Sequence, residues 1–180
     1  MVTIDKIFHA SVVLKDIIRP TPLAKAYGIA EDCKLYLKPE CLQKTGSFKL
    51  RGSGYKIAML SEEEKARGVI ACSAGNHAQG VALAASKCGI SSLICLPDTA
   101  PISKVEATKG YGAQVCLVPG VYDDAYNKAL ELKEERGYTF VHPFDDEYVI
   151  AGQGTIGLEI MNEMSDVDAV IVPIGGGGLI

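Results

Sequence analysis

The 180-residue sequence predicts an α/β fold, with two doubly wound, three-layer αβα lobes and mostly parallel sheets. Three observations carry that expectation. Short apolar runs alternate with longer helical stretches from residue 68 to residue 141. The connections between them are short, as in successive βαβ units. Two apolar runs lead into small or glycine-rich segments, at 73–77 and 175–178, the arrangement that turns backbone N–H groups toward a ligand. The smaller lobe is expected over 50–145, inserted into a larger lobe made of 1–49 and 146–180.

Each element follows from local chemistry. Thr3 can cap a first helix with Ile4, Ile7, Phe8, Ser11 and Leu14 near one face. Pro20 and Pro22 end it. Residues 34–38 alternate as a strand, and Pro39 closes it. A loop over 41–46 leads to a helix over 47–60, with Ser47 as its cap and Lys49 in its first turn. Ser61 followed by Glu62, Glu63 and Glu64 opens a short helix. Strands are expected at 69–72, 92–96, 114–118 and 138–141, and helices at 76–88, 101–111 and 121–136, the last ended by Gly137. Beyond them, 145–151 reads as a short helix or turn, 152–164 as a helix, and 168–174 as an apolar strand. The chain stops where a helix should follow the final glycines, which reads as a partial chain with an incomplete larger lobe.

Composition narrows the function. With 48% hydrophobic and 22% charged residues, the chain can build a sizeable core. A formal charge of −4 with scattered basic residues argues against a nucleic-acid or anionic-membrane surface. Six cysteines form no Cys-x-x-Cys pair, so reduced thiols and no metal site are expected. No basic segment followed by an apolar run marks secretion, and no run approaches membrane-spanning length, so a cytoplasmic protein is expected.

The chemistry concentrates in three stretches. Gly175, Gly176, Gly177 and Gly178 follow an apolar run and can present several N–H groups to one anion. Ser73-Ala74-Gly75-Asn76-His77 joins a buried strand to a helix and suits a small carboxylate or a ligand oxygen, although Ser73 and Asn76 could simply cap that helix. Ser47-Phe48-Lys49-Leu50-Arg51-Gly52 places a lysine beside a bulky ring. A lysine that forms an imine must shed its proton, so a half-dry pocket and a nearby cation such as Arg51 would help. Gly152-Gln153-Gly154-Thr155-Ile156-Gly157 matches Gly-x-Gly-x-x-Gly but lacks a good preceding strand, so helix packing is the expected role of its glycines. His9 and His142 read as helix-surface and loop-packing residues.

In this order, together with Arg19-Pro20-Thr21-Pro22-Leu23, Lys38-Pro39-Glu40 and the 101–113 segment, these motifs resemble the threonine dehydratase and serine racemase group of pyridoxal-phosphate enzymes, of tryptophan-synthase-β-like fold. The resemblance implies pyridoxal 5'-phosphate as cofactor and Lys49 as the catalytic, imine-forming lysine. It implies Phe48 against the cofactor ring, Asn76 on its phenolic oxygen, and Gly175, Gly176, Gly177, Gly178 and Leu179 around its phosphate. Ser73, Ala74, Gly75, Asn76 and His77 would line the substrate carboxylate site. Racemases of the group carry a serine where this chain has Ala74, which favours a dehydratase. The implied activity is a lyase taking L-threonine, and L-serine, to a 2-oxo acid and ammonia in a homo-oligomer. The alternatives are a serine racemase or a 3-hydroxyaspartate dehydratase, a nucleotide-binding module using 152–157 or the last glycines, and an inactive fragment.

Overall fold

Residues 69–72 and 92–97 are apolar or small almost throughout, and they are buried on both faces. Such runs belong in the middle of a parallel sheet. In the computed structural model, which describes residues 1–29 and 32–180, they are β3 (Val69–Cys72) and β4 (Ser92–Pro97), paired parallel with Val69 opposite Ser92 and Cys72 opposite Cys95. β5 (Gln114–Val118) pairs with β4 on one side, and β6 (Thr139–Phe140) pairs with β3 on the other. The sheet order is β5-β4-β3-β6.

That order reverses the direction of travel once. The chain moves outward from β3 through α4 (Asn76–Lys87) and α5 (Ile102–Gly110) to β5. It then crosses through α6 (Tyr122–Arg136) and lays β6 against β3. α4 packs with Val69, Ala71, Ile94 and Leu96 on one face, while Ala125, Ala129 and Leu132 of α6 cover Ile70, Cys72, Leu93 and Cys95 on the other. The carboxyl ends of β3 and β6 therefore sit side by side at the reversal point, where open α/β sheets leave a crevice.

Three helices meet beside this sheet: α1 (Ile4–Val13), α2 (Lys49–Ala58) and α7 (Glu147–Glu163). Thr3 caps α1 as expected. α2 begins at Lys49 with Phe48 at the cap position, so Ser47 lies one residue too early to be the cap, although its hydroxyl accepts the Lys49 N–H at 3.1 Å. α3 (Glu62–Arg67) opens with the full capping box of Ser61 and Glu64. Gly137 ends α6 in the left-handed conformation, φ 69°.

Three expectations need correction. The strand at 34–38 shrinks to β2 (Tyr36–Leu37), paired antiparallel with β1 (Ala24–Lys25) as a separate ribbon. The two pieces expected at 145–151 and 152–164 are one helix, α7, capped by Asp146, whose Oδ1 accepts from the N–H groups of Tyr148 and Val149. Its glycines serve close packing, as expected: a Cβ at Gly152 would lie 2.4 Å from the Arg51 carbonyl oxygen. Gly52 of α2 is the reciprocal contact, with a Cβ there 2.8 Å from the Val149 carbonyl. The Gly-x-Gly-x-x-Gly match thus lies inside a helix rather than at a strand-to-helix turn. Finally, 168–174 is irregular rather than a strand, with Val170, Ile171 and Ile174 exposed. A strand needs a hydrogen-bonded neighbour, and no described strand pairs with this segment.

Candidate active site

Lys49 opens α2 at the mouth of the crevice. Its side chain is half-buried, and that burial holds its amine below the ordinary lysine pKa. Nζ donates to the Pro143 carbonyl at 2.6 Å and lies 5.2 Å from the centre of the Phe48 ring. α2 is seated against α4 through Gly80, where a Cβ would lie 3.1 Å from the Lys49 carbonyl carbon.

Arg51 does not assist the lysine. It points the opposite way, fully buried, with both ends of its fork occupied. Glu40 takes Nε and Nη2 at 2.8 Å each, and Glu159 takes Nη1 at 2.6 Å and Nη2 at 3.0 Å. Thr155 Oγ1 accepts a further bond from Nη1 at 3.1 Å. Burial works against the Glu159 charge, yet Arg51 and Lys38 outweigh it and hold that carboxyl below its ordinary pKa. The expected cation beside Lys49 is instead a clamp joining α2 to α7 and to the 40–42 turn. Desolvation alone lowers the lysine.

Phe48, Lys49, Gly175, Gly176, Gly178 and Leu179 line one open cavity of about 340 Å³, together with Pro173 and Ile174. Gly177 carries the positive φ of the run, 80°. A Cβ at Gly178 would lie 3.3 Å from Lys49 Nζ and 2.7 Å from Phe144 Cβ, and one at Gly176 would lie 3.1 Å from the Phe144 ring. Only glycine lets this backbone come so near the amine and the ring together.

The 73–77 loop leaves the carboxyl end of β3. Ser73 Oγ accepts from the Gly75 N–H at 3.2 Å, Ala74 is partly buried, and Asn76 is exposed at the first turn of α4. Neither Ser73 nor Asn76 caps the helix, since Gly75 holds the cap position without a side-chain bond. His77 is buried, and its Nε2 lies 2.9 Å from the Val141 carbonyl oxygen. A carbonyl only accepts, so Nε2 carries the proton and Nδ1 is a bare acceptor with no partner among the described residues. Burial pushes its pKa down to about 4, against the opposing Val141 bond and with help from the nearby Lys49 and His142 charges. His77 therefore enters the site neutral and offers no positive charge to a carboxylate.

The sequence reading missed a fourth segment, 141–145, which leaves the carboxyl end of β6. Val141 holds His77, Pro143 holds Lys49, and Phe144 lies against Gly176 and Gly178. Two of these contacts are main-chain carbonyls, which carry no signature in residue type. His9 also has a partner that was not foreseen, Tyr55 Oη at 2.9 Å from Nδ1.

A lysine amine held below its usual pKa, facing a glycine backbone across one cavity beside an aromatic ring, fits a ligand bearing an aldehyde at one end and a phosphate at the other. The six cysteines are free, and no cluster of His, Cys, Asp or Glu suited to a metal ion occurs among the described residues. No described helix is long and apolar enough to cross a membrane.

The chain belongs to the family described as pyridoxal-phosphate dependent enzyme, whose model matches residues 14–180. The cofactor that goes with that family is pyridoxal phosphate. Among curated relatives, an L-threonine ammonia-lyase of Thermotoga maritima is 55% identical across all of this chain and 45% of its own length. A catabolic L-threonine dehydratase of Staphylococcus aureus is 51% identical, again across all of this chain and 53% of its own. The chain spans about half the length of the curated relatives it matches. Among solved structures, maize serine racemase superposes with a TM-score of 0.95 at 38% identity, over 99% of this chain and 55% of that one. The processed threonine deaminase isoform 2 of Solanum lycopersicum gives 0.91 at 41% identity, over 98% and 51%.

Proposed function

We propose that the whole protein is a cytoplasmic, homo-oligomeric dehydratase that converts L-threonine, and L-serine, to a 2-oxo acid and ammonia. The relatives named as threonine ammonia-lyase and threonine dehydratase support the substrate class. The observation that carries the reading is the half-buried Lys49 amine sharing one cavity with the glycine run.

When bound, pyridoxal phosphate supplies the aldehyde that links to an amine and the electron sink for the bond broken at Cα. Lys49 would hold its carbon, Phe48 its ring face, Asn76 its phenolic oxygen, and Gly175, Gly176, Gly177, Gly178 and Leu179 its phosphate end. Ser73, Ala74, Gly75, Asn76 and His77 would surround the substrate carboxylate. Free N–H groups at the start of α4 and the Ser73 hydroxyl would do the binding, since His77 is neutral.

Burial enlarges the fraction of Lys49 that is unprotonated near neutral pH, and an unprotonated amine can take the Cα proton. Ala74 has no hydroxyl, so the 73–77 loop offers no second acid or base at that position to return a proton to the opposite side. That asymmetry favours loss of the β-hydroxyl as water over inversion. The enamine then takes water back and releases ammonia, so the overall change needs no oxidant or reductant.

A division into a lobe at 50–145 and a second made of 1–49 and 146–180 belongs to the same proposal. The four-stranded sheet lying wholly within the first range supports it.

The test is the release of 2-oxobutanoate from L-threonine by the protein loaded with pyridoxal phosphate. Turnover that disappears in Lys49→Ala supports the reading. D-serine formation from L-serine without 2-oxo acid would make it a racemase. Tight NAD or ATP binding without pyridoxal phosphate uptake would overturn the class.

A further inference from the structure

His142 stands at the turn between β6 and α7, and its ring is used as a hydrogen-bond acceptor. Nδ1 accepts from the Asp145 N–H at 2.7 Å and from the Phe144 N–H at 3.3 Å. A ring nitrogen that accepts two backbone N–H groups must be unprotonated. The ring also meets Phe144 edge-on, with centroids 4.7 Å apart. These contacts fold the turn back on itself. Folded this way, the turn presents the Pro143 carbonyl to Lys49 Nζ at 2.6 Å and the Phe144 ring to Gly176 and Gly178. The preceding carbonyl, Val141, receives His77. One short turn thus touches the lysine, the glycine run and the 73–77 loop.

We infer that His142 is a positioning residue for Lys49: by gathering the Phe144 and Asp145 N–H groups it fixes the Pro143 carbonyl as the resting place of the lysine amine. This rests on the reading of Lys49 as the cofactor-linking lysine. The amine released when substrate binds must stay close to the substrate Cα, and a fixed carbonyl on the adjoining turn keeps it there. A freely moving four-carbon side chain would lose that placement.

Protonation undoes the arrangement, because an imidazolium has no acceptor for the two N–H groups. The charged groups that face His142 are Asp145 and Asp146 on its own segment and Lys49 from α2, with His77 of α4 also close. Burial and Lys49 favour the neutral ring over the two carboxylates, so its pKa lies below the ordinary histidine value. Positioning is therefore complete at neutral pH and lost on the acid side.

The test uses the full chain with pyridoxal phosphate and compares wild type, His142→Ala and His142→Asn. Asparagine Oδ1 can accept the same N–H groups, as in an Asx turn, but does not titrate. The readouts are the dissociation constant of pyridoxal phosphate from pH 5 to 8, borohydride fixation mapped by peptide mass, and thermal unfolding. His142→Ala is expected to weaken cofactor binding about tenfold, because the loosened turn no longer holds Phe144 against Gly176 and Gly178. His142→Asn is expected to restore binding to within about threefold, with the acid-side weakening much reduced.

Wild-type affinity and pH profile in His142→Ala would overturn the proposal. So would equal defects in both variants that simply follow lowered melting temperatures. If wild type itself fixes no cofactor at Lys49, the underlying reading fails and the proposal with it. If wild type does fix it there while His142→Ala is indistinguishable, the proposal alone fails.

Discussion

Gly152, Gly154 and Gly157 lie inside α7, whereas Gly175, Gly176, Gly177 and Gly178 lie in an irregular segment beside Lys49. Both stretches are glycine-rich, and either could be taken for a phosphate loop from its sequence. The difference is what a side chain would strike. At Gly152 a Cβ meets the backbone of α2, which cannot move aside, so the glycine exists for helix-to-helix approach. At Gly176 and Gly178 it meets the Phe144 ring and the lysine amine, across a cavity open to a ligand. One set of glycines holds the fold together, and the other leaves room for chemistry.

Alanine substitutions break this contrast most directly. Gly152→Ala is expected to destabilise the protein by about 3 kcal/mol or more, since a contact of 2.4 Å to a carbonyl oxygen forces α7 away from α2. Urea unfolding measures it. A change under 1 kcal/mol would mean that the α2–α7 crossing is slack.

Acid acts on His77, buried in the first turn of α4. Its folded pKa of about 4 lies below the ordinary value of 6.5, so the folded state binds fewer protons there than the unfolded chain. Stability from this group is complete above about pH 6.5 and falls as pH drops toward 4, by up to on the order of 3 kcal/mol. In His77→Phe, that portion of the pH dependence should vanish from denaturation curves recorded between these limits.

Gly178→Ala should do the reverse of Gly152→Ala. Fluorescence titration is expected to show pyridoxal phosphate binding weakened about tenfold, while the urea midpoint stays close to that of wild type. Gly154→Ala meets the Ile7 side chain, with Cδ1 at 2.8 Å, Cγ1 at 3.1 Å and Cγ2 at 3.5 Å but no backbone, and should cost about 1 kcal/mol. Gly157→Ala meets nothing within 4 Å and is exposed, so helix propensity should raise stability by roughly 0.5–1 kcal/mol. The sign change between Gly152 and Gly157 within one helix would confirm that packing, not composition, decides what each glycine does.

Much of the fold was legible because its signals are local. The buried runs at β3 and β4 and the glycine stop at Gly137 each fix an element without reference to distant residues. The same is true of the Ser61 capping box. The continuity of α7 was not legible, because its glycines lower helix propensity and the compensating contact comes from α2. The apolar run at 168–174 had strand character but no described partner to pair with. In the site, Lys49 and the glycine run could be read from residue type and do share a cavity. The direction of Arg51 could not, since it depends on Glu40 and Glu159 from two other segments. Pro143 could not either, because it acts through its carbonyl. The topology offered the one available hint: a sheet that reverses beside β3 must bring the exit of β6 next to the 73–77 loop.

The most direct measurement is to incubate the protein with pyridoxal phosphate, reduce with borohydride, digest, and locate the added mass. Attachment at Lys49 alone, abolished in Lys49→Ala and reduced in Gly178→Ala, is the expected result. Attachment spread over surface lysines, or none under saturating cofactor, would contradict a cofactor site built from Lys49 and the terminal glycines.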